Sequence, residues 1–104
     1  MLSELFKACS DATRRRILTT LVQEGPTRVT DLSEQFVMSL NAVSKHIKVL
    51  EKSGLIKRNT IGRVHLIEAN LESTKLVEDW FKELRLIWEL RLDKLTDILE
   101  QKHE

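Results

Sequence analysis

The 104-residue chain predicts a mainly α fold with one small β-hairpin, its elements running α-α-α-α-β-β-α. Three observations carry that prediction. Apolar residues recur at helical spacing through most of the sequence, the stretch after Gly54 switches to strict alternation, and a capping or breaking residue stands at nearly every change of pattern. At this length one core can form without disulfides or metal, so a single domain over residues 1–104 is expected.

Leu2, Leu5, Phe6 and Cys9 form the apolar stripe of a first helix that ends near Asp11, a good cap for the next. The lone cysteine has no internal disulfide partner and reads as a small core residue, with a redox role as the alternative. Thr13 to Gln23 carries Ile17, Leu18, Leu21 and Val22 at helical spacing and closes on Gly25-Pro26. Arg14, Arg15 and Arg16 lie in its first turn, where cations oppose the helix dipole. Two roles stay open for them: pairing with Asp11 or the acidic C-terminal region, or contact with phosphates. Thr30 is expected to cap a short third helix with Leu32 and Phe36 turned inward.

The fourth helix, about residues 39–53, is the most sharply patterned. Ser39 can cap it and Gly54 can end it, while Val43, Ile47 and Leu50 form its apolar face. Asn41, Ser44, Lys45 and Lys48 fall on or near the other face. Asn suits adenine, Ser a base edge, and Lys guanine or phosphate, so this inventory matches major-groove readout. An ordinary solvated amphipathic face is the competing reading of the helix alone. Two short helices joined by the Val37-Met38 turn, the second polar and basic outside, make a helix-turn-helix.

Residues 55–69 alternate around Asn59-Thr60-Ile61-Gly62, which predicts a hairpin, or wing, with Arg63 beside its tip. Arg63 suits a minor groove or a phosphate, the alternative being a solvated turn residue. Asn70 is expected to cap a last helix over about 71–101. Its stripe of Trp80, Phe81, Leu84, Ile87, Trp88, Leu92 and Leu95 is longer than a compact winged-helix body can cover. Pairing with a second copy, helped by Leu2, Leu5 and Phe6, is the expected remedy; folding back on the same domain is the alternative.

Charge supports a polyanionic partner through its position more than its total. Net charge is +1, but residues 1–70 hold 11 Lys/Arg against 7 Asp/Glu, a net +4, whereas residues 71–104 hold 6 against 9, a net −3. Between Lys45 and Arg63 six basic residues face one acid, Glu51. The sequence has no membrane-spanning run and no signal-peptide core, so a cytoplasmic protein without membrane insertion is expected. Nothing suggests catalysis: there is no nucleophile with a histidine partner and no phosphate-binding glycine loop.

Four stretches, DATRRRILTTL, VTDLSEQFVMSLNAVSKHIKVLEKSGLI, GRVHLIEAN and DWFKELRLIWELRLDKL, together resemble the ArsR family of small dimeric winged-helix repressors. The resemblance spans nearly the whole chain and is similar to the metal-independent branch, although Ala12 stands where the family usually has proline. It implies a homodimer on a palindromic double-stranded DNA operator. Asn41, Ser44 and Lys45 would read bases; Ser39, His46, Lys48 and Arg63 would position the protein on the backbone. Metal-sensing relatives carry two thiolates in a stretch that here reads Arg28-Val29-Thr30-Asp31-Leu32, and His46, His65 and His103 are scattered, so no metal or other cofactor is expected. The inducer, an unknown protein or a small molecule, carries no sequence signature. A winged-helix module that binds protein instead of DNA is the competing class; its mark would be an apolar or acidic recognition face, and here only Leu40 answers to that.

Overall fold

The computed structural model describes residues 2–102. In chain order the elements are α1 (Leu2–Cys9), α2 (Ala12–Glu24), β1 (Thr27–Arg28), α3 (Val29–Gln35), α4 (Leu40–Lys52), β2 (Ile56–Ile61), β3 (Val64–Ala69) and α5 (Thr74–Lys102). They fall into two compact units, Met1–Thr74 and Lys75–Glu104.

In the first unit the helices bury the residues their spacing selected. Leu5 and Ala8 of α1, Ile17 and Leu21 of α2, Leu32 of α3 and Val43, Ile47 and Leu50 of α4 meet Phe36, Leu55, Ile56 and Ile67 in one core. Leu5 therefore differs from its expected role. At 3% exposure it packs inside its own protomer and offers no surface to a second chain. Phe6, on the same helix, is 41% exposed, and Leu2 is half-buried.

The helix ends explain where the chain turns. Asp11 caps α2 by accepting from the Arg14 backbone N–H at 3.0 Å, and Gly25 closes it by donating its N–H to the Leu21 carbonyl at 2.9 Å. Ser39 caps α4 by accepting from the Ala42 N–H. At the other end of α4, Gly54 takes φ +83° and donates to the Glu51 carbonyl, while Leu55 donates back to Leu50. This pair of bonds is a Schellman motif, which satisfies the last carbonyls and drops Leu55 into the core.

Four local expectations are corrected. Arg28, not Thr30, is the N-cap of α3, without a side-chain bond; Thr30 lies within the first turn. Chain entry through a strand sets this cap, because Thr27 and Arg28 form β1 and pair antiparallel with Ile67 and Leu66 of β3. That makes a three-stranded sheet, order β1-β3-β2, in place of the expected two-stranded hairpin. Asn59, Thr60 and Ile61 belong to β2, paired with Leu66, His65 and Val64, so the turn contracts to Gly62-Arg63. Gly62 alone has positive φ there, +62°, as a two-residue type II′ connection requires. Asn70 caps a short turn, its side chain accepting from the Glu72 N–H, and α5 begins only at Thr74.

In the second unit α5 is a single helix from Thr74 to Lys102, 29 residues or roughly 44 Å long. Its predicted stripe is present and exposed, with Ile87 at 64% and Trp88 at 61%, and the Trp80 and Phe81 rings meet at 4.9 Å between centroids. Leu86 and Leu90 are also exposed, at positions outside that stripe. Among the described residues, no helix is long and apolar enough to cross a membrane.

Candidate nucleic-acid interface

The interface is organised by α4. Burial of Val43, Ile47 and Leu50 fixes the rotation of this helix, because all three are fully covered. The residues half a turn away must then face outward. Asn41, Lys45, Lys48 and Lys52 are all exposed and follow one another at spacings of four, three and four, a single stripe along the helix. Ser39 is exposed at the cap, and Ser44 is half-buried on the flank. Lys52 joins the stripe without having been among the residues expected at the site; the same spacing that selects Lys48 also reaches it.

His46 lies elsewhere. It is half-buried, with Nδ1 3.4 Å from Nη1 of Arg14 on α2, so it braces the helix against its neighbour. The three arginines of α2 are likewise engaged within the fold. Arg14 donates from Nε to the Ala8 carbonyl and from Nη2 to Lys7, Arg15 donates to Cys9, and the Arg16 guanidinium stands 5.1 Å from the centre of the Phe36 ring. The bonds from Arg14 and Arg15 answer the open carbonyls at the end of α1, which favours a structural role over phosphate contact. The carboxylate of Asp11 is engaged by the Arg14 backbone N–H and not by its guanidinium. That bond, with smaller help from the Arg14 and His46 charges, holds the Asp11 carboxyl below its ordinary value.

Two further features extend the basic surface. Lys7 of α1 joins Lys48, Lys52 and Glu4 around a groove of about 340 Å³ beside α4. Arg63 is exposed at the second position of the wing turn. On β2, Arg58 donates through Nη2 to Glu51 of α4 at 2.6 Å, which ties the wing to the helix. The one acid in the basic segment is thus neutralised internally. Cys9 is half-buried and unpaired by any disulfide. Among the described residues no three His, Cys, Asp or Glu side chains cluster to hold a metal; His103 lies outside those residues.

A helix-turn-helix domain model matches residues 10–59, which run from just before α2 into β2. The chain is 37% identical over 67 residues to the arsenical resistance operon repressor of Bacillus subtilis (strain 168), covering 64% of this chain and 64% of that protein. Among solved structures, the ArsR family transcriptional regulator RHA00566 is 39% identical, superposes with a TM-score of 0.78, and is matched over 85% of this chain and 90% of its own. The chain belongs to the ArsR family. A second structure, an ArsR-like transcriptional regulator from Rhodococcus sp. RHA1, is 27% identical with a TM-score of 0.87 over 96% of this chain and 91% of that one.

As an ArsR-family protein, the chain is a winged helix-turn-helix DNA-binding transcriptional regulator. In this ArsR-family member α3 and α4 are the helix-turn-helix, and β2 and β3 the wing. Among the described residues the fully exposed Val37 in the turn and the half-exposed Leu40 at the start of α4 are the large exposed apolar side chains of the helix-turn-helix.

Proposed function

We propose that this ArsR-family regulator is a repressor that binds a palindromic operator as a symmetric homodimer, in the cytoplasm and without metal. The observation that carries the DNA reading is the exposed stripe Asn41, Lys45, Lys48 and Lys52 on a helix whose opposite face is locked into the core. Asn41 and Lys45, flanked by Ser44, contact base edges; Ser39, Lys48, Lys52 and Arg63 hold the phosphate backbone. Two copies of α4 related by a two-fold axis enter successive major grooves, which sets half-sites about 10 bp apart or a multiple of that.

The homodimer rests on α5. Trp80, Phe81, Leu84, Ile87, Trp88, Leu92 and Leu95 are each at least 40% exposed. Covering a large apolar side chain stabilises by up to about 1.5–3 kcal/mol, so a second α5 is the natural cover for so long a stripe. Release by an inducer, protein or small molecule, belongs to the proposal with no residue assigned to it.

Fluorescence anisotropy on the upstream DNA of the protein's own gene and on a scrambled duplex, across a salt series, tests the reading, with mass measured in the same buffer. Tight, salt-sensitive and sequence-dependent binding by a particle of twice the monomer mass is expected. Equally weak binding to every duplex, including those recovered from random-site selection, would reject it.

A further inference from the structure

The strongest unassigned feature of the first unit is a groove of about 170 Å³ at the wing turn, lined by Arg28, Val29, Thr30, Arg63, Val64 and His65. These residues come from separate places in the sequence, and the sheet brings them together. β1 pairs with β3 so that Arg28 sits opposite Leu66, one residue from His65, and the β2-β3 turn places Arg63 just before the same strand. All the ionisable groups of the lining are basic, and no carboxylate is among them. Among the described residues the ion pair formed is Arg58–Glu51, so neither Arg28 nor Arg63 is neutralised by an acid. Thr60 Oγ1 lies 3.2 Å from Nδ1 of His65 and fixes its ring, and Thr30 adds a hydroxyl. Val29 and Val64 form the apolar walls.

We propose that this groove seats one backbone phosphate of the DNA duplex, gripped by Arg28 and Arg63 together, with Thr30 and His65 as supporting donors. The inference rests on the DNA-binding reading and deepens it by adding β1 and the start of α3 to the contact surface. Two arginines line one groove without a competing acid, and the guanidinium fork is the side-chain group suited to phosphate oxygens. Arg28, Thr30, Arg63 and His65 are all exposed, which admits a hydrated polyanion. A small free anion would instead need enclosed donors to compete with water. Of the elements that line the groove, α3 packs on α4, the proposed reading helix, and supplies Val29 and Thr30 to the lining. Arg63 is thereby assigned to the backbone and not to the floor of a minor groove.

The test uses the full chain on a selected operator duplex, with Arg28→Ala, Arg63→Ala and the double variant, and circular dichroism to verify folding. Arg28→Ala is expected to weaken binding about tenfold on operator and scrambled duplexes alike, and to flatten the salt dependence by part of the loss of about 0.9 in log–log slope expected of the double variant, the value for one phosphate no longer neutralised. Because both arginines hold one phosphate, the double variant should weaken binding by less than the product of the two single effects. A single neutral methylphosphonate placed in turn at each backbone position should find one position where Arg28→Ala no longer matters. Unchanged salt slope in Arg28→Ala, while wild-type protein binds the operator, overturns this inference and leaves the DNA reading intact. Absence of operator binding by the wild type overturns both. Titration with inorganic phosphate, followed by the His65 ring resonances, separates the sources. Saturation of the groove with the slope unchanged in Arg28→Ala would reassign it to a small anion and overturn the proposal.

Discussion

Arg14 Nη1 stands 3.4 Å from His46 Nδ1, and the same guanidinium donates to the carbonyls of Lys7 and Ala8. One side chain thus joins the end of α1, the start of α2 and the flank of α4. Its planar fork serves three directions at once, which a lysine ammonium on a flexible stem would not reproduce. Arg14→Ala is expected to lower stability by about 1–2 kcal/mol, the worth of two backbone-directed bonds at a half-buried site. Arg14→Lys should recover less than half of it. Urea unfolding midpoints at neutral pH measure both, and full recovery in the lysine variant would show that charge alone matters here.

Asp11 makes the same junction sensitive to acid. Its carboxyl is held below the ordinary 3.8, chiefly by the Arg14 backbone N–H. A depressed folded-state value means that the ionised form favours the native state. The contribution is therefore complete above the unfolded value and is lost as pH falls through the folded one. Asp11→Asn keeps the capping oxygen and removes the titration. Its urea midpoint should fall less steeply than wild type below about pH 4. Parallel curves across that range would remove Asp11 from the acid response.

Gly54 offers a cleaner backbone test. Its φ of +83° lies in the left-handed region, and a Cβ there would meet Ser73 Oγ at 3.7 Å, an ordinary contact. Steric room is available, so the cost of Gly54→Ala is conformational, about 1–2 kcal/mol. The loss should appear in unfolding midpoints without any change in the mass of the assembled particle. A neutral substitution would mean that the Schellman turn relaxes to another conformation.

Leu5 and Ile87 separate core from interface. Leu5 is 3% exposed within the first unit and Ile87 is 64% exposed on α5. Leu5→Ala should cost about 2–5 kcal/mol of stability. Ile87→Glu places a charge in the proposed α5 contact and should shift sedimentation toward the monomer mass at micromolar concentration. Dimer mass retained by Ile87→Glu, and by Trp88→Glu as a second probe, would place the partner surface elsewhere.

The helices were legible because their signals repeat. Val43, Ile47 and Leu50 define a face three times over, and Ser39 and Gly54 bracket it with two different capping chemistries. β1 was not legible: two residues contain no period, and Thr27-Arg28 pairs only because distant Leu66 and Ile67 lie alongside. The position of the wing turn was obscured for a related reason. Asn59 and Thr60 favour turns locally, yet cross-strand pairing with Leu66 and His65 holds them extended. The outward stripe of α4 follows from spacing, whereas the inward lean of His46 depends on Arg14, which lies 32 residues earlier. The Arg28–Arg63 groove was hidden for the same reason as β1, since the pairing of that strand builds it.

Base reading and backbone holding predict different signatures for two residues on one stripe. Asn41 and Lys48 are both exposed on α4 and seven residues apart, two turns along the same face. An amide that makes a bidentate contact with adenine discriminates by about 1–3 kcal/mol against another base. An ammonium on a phosphate feels the same charge on every sequence. Asn41→Ala should therefore flatten preference at one half-site position and leave affinity for scrambled DNA nearly unchanged. Lys48→Ala should weaken all duplexes together and reduce the salt slope by about 1. Random-site selection followed by anisotropy on single-base variants of the recovered operator separates the two signatures. If Asn41→Ala loses affinity equally on every duplex, its amide holds the backbone, and base reading passes to Lys45 and Ser44.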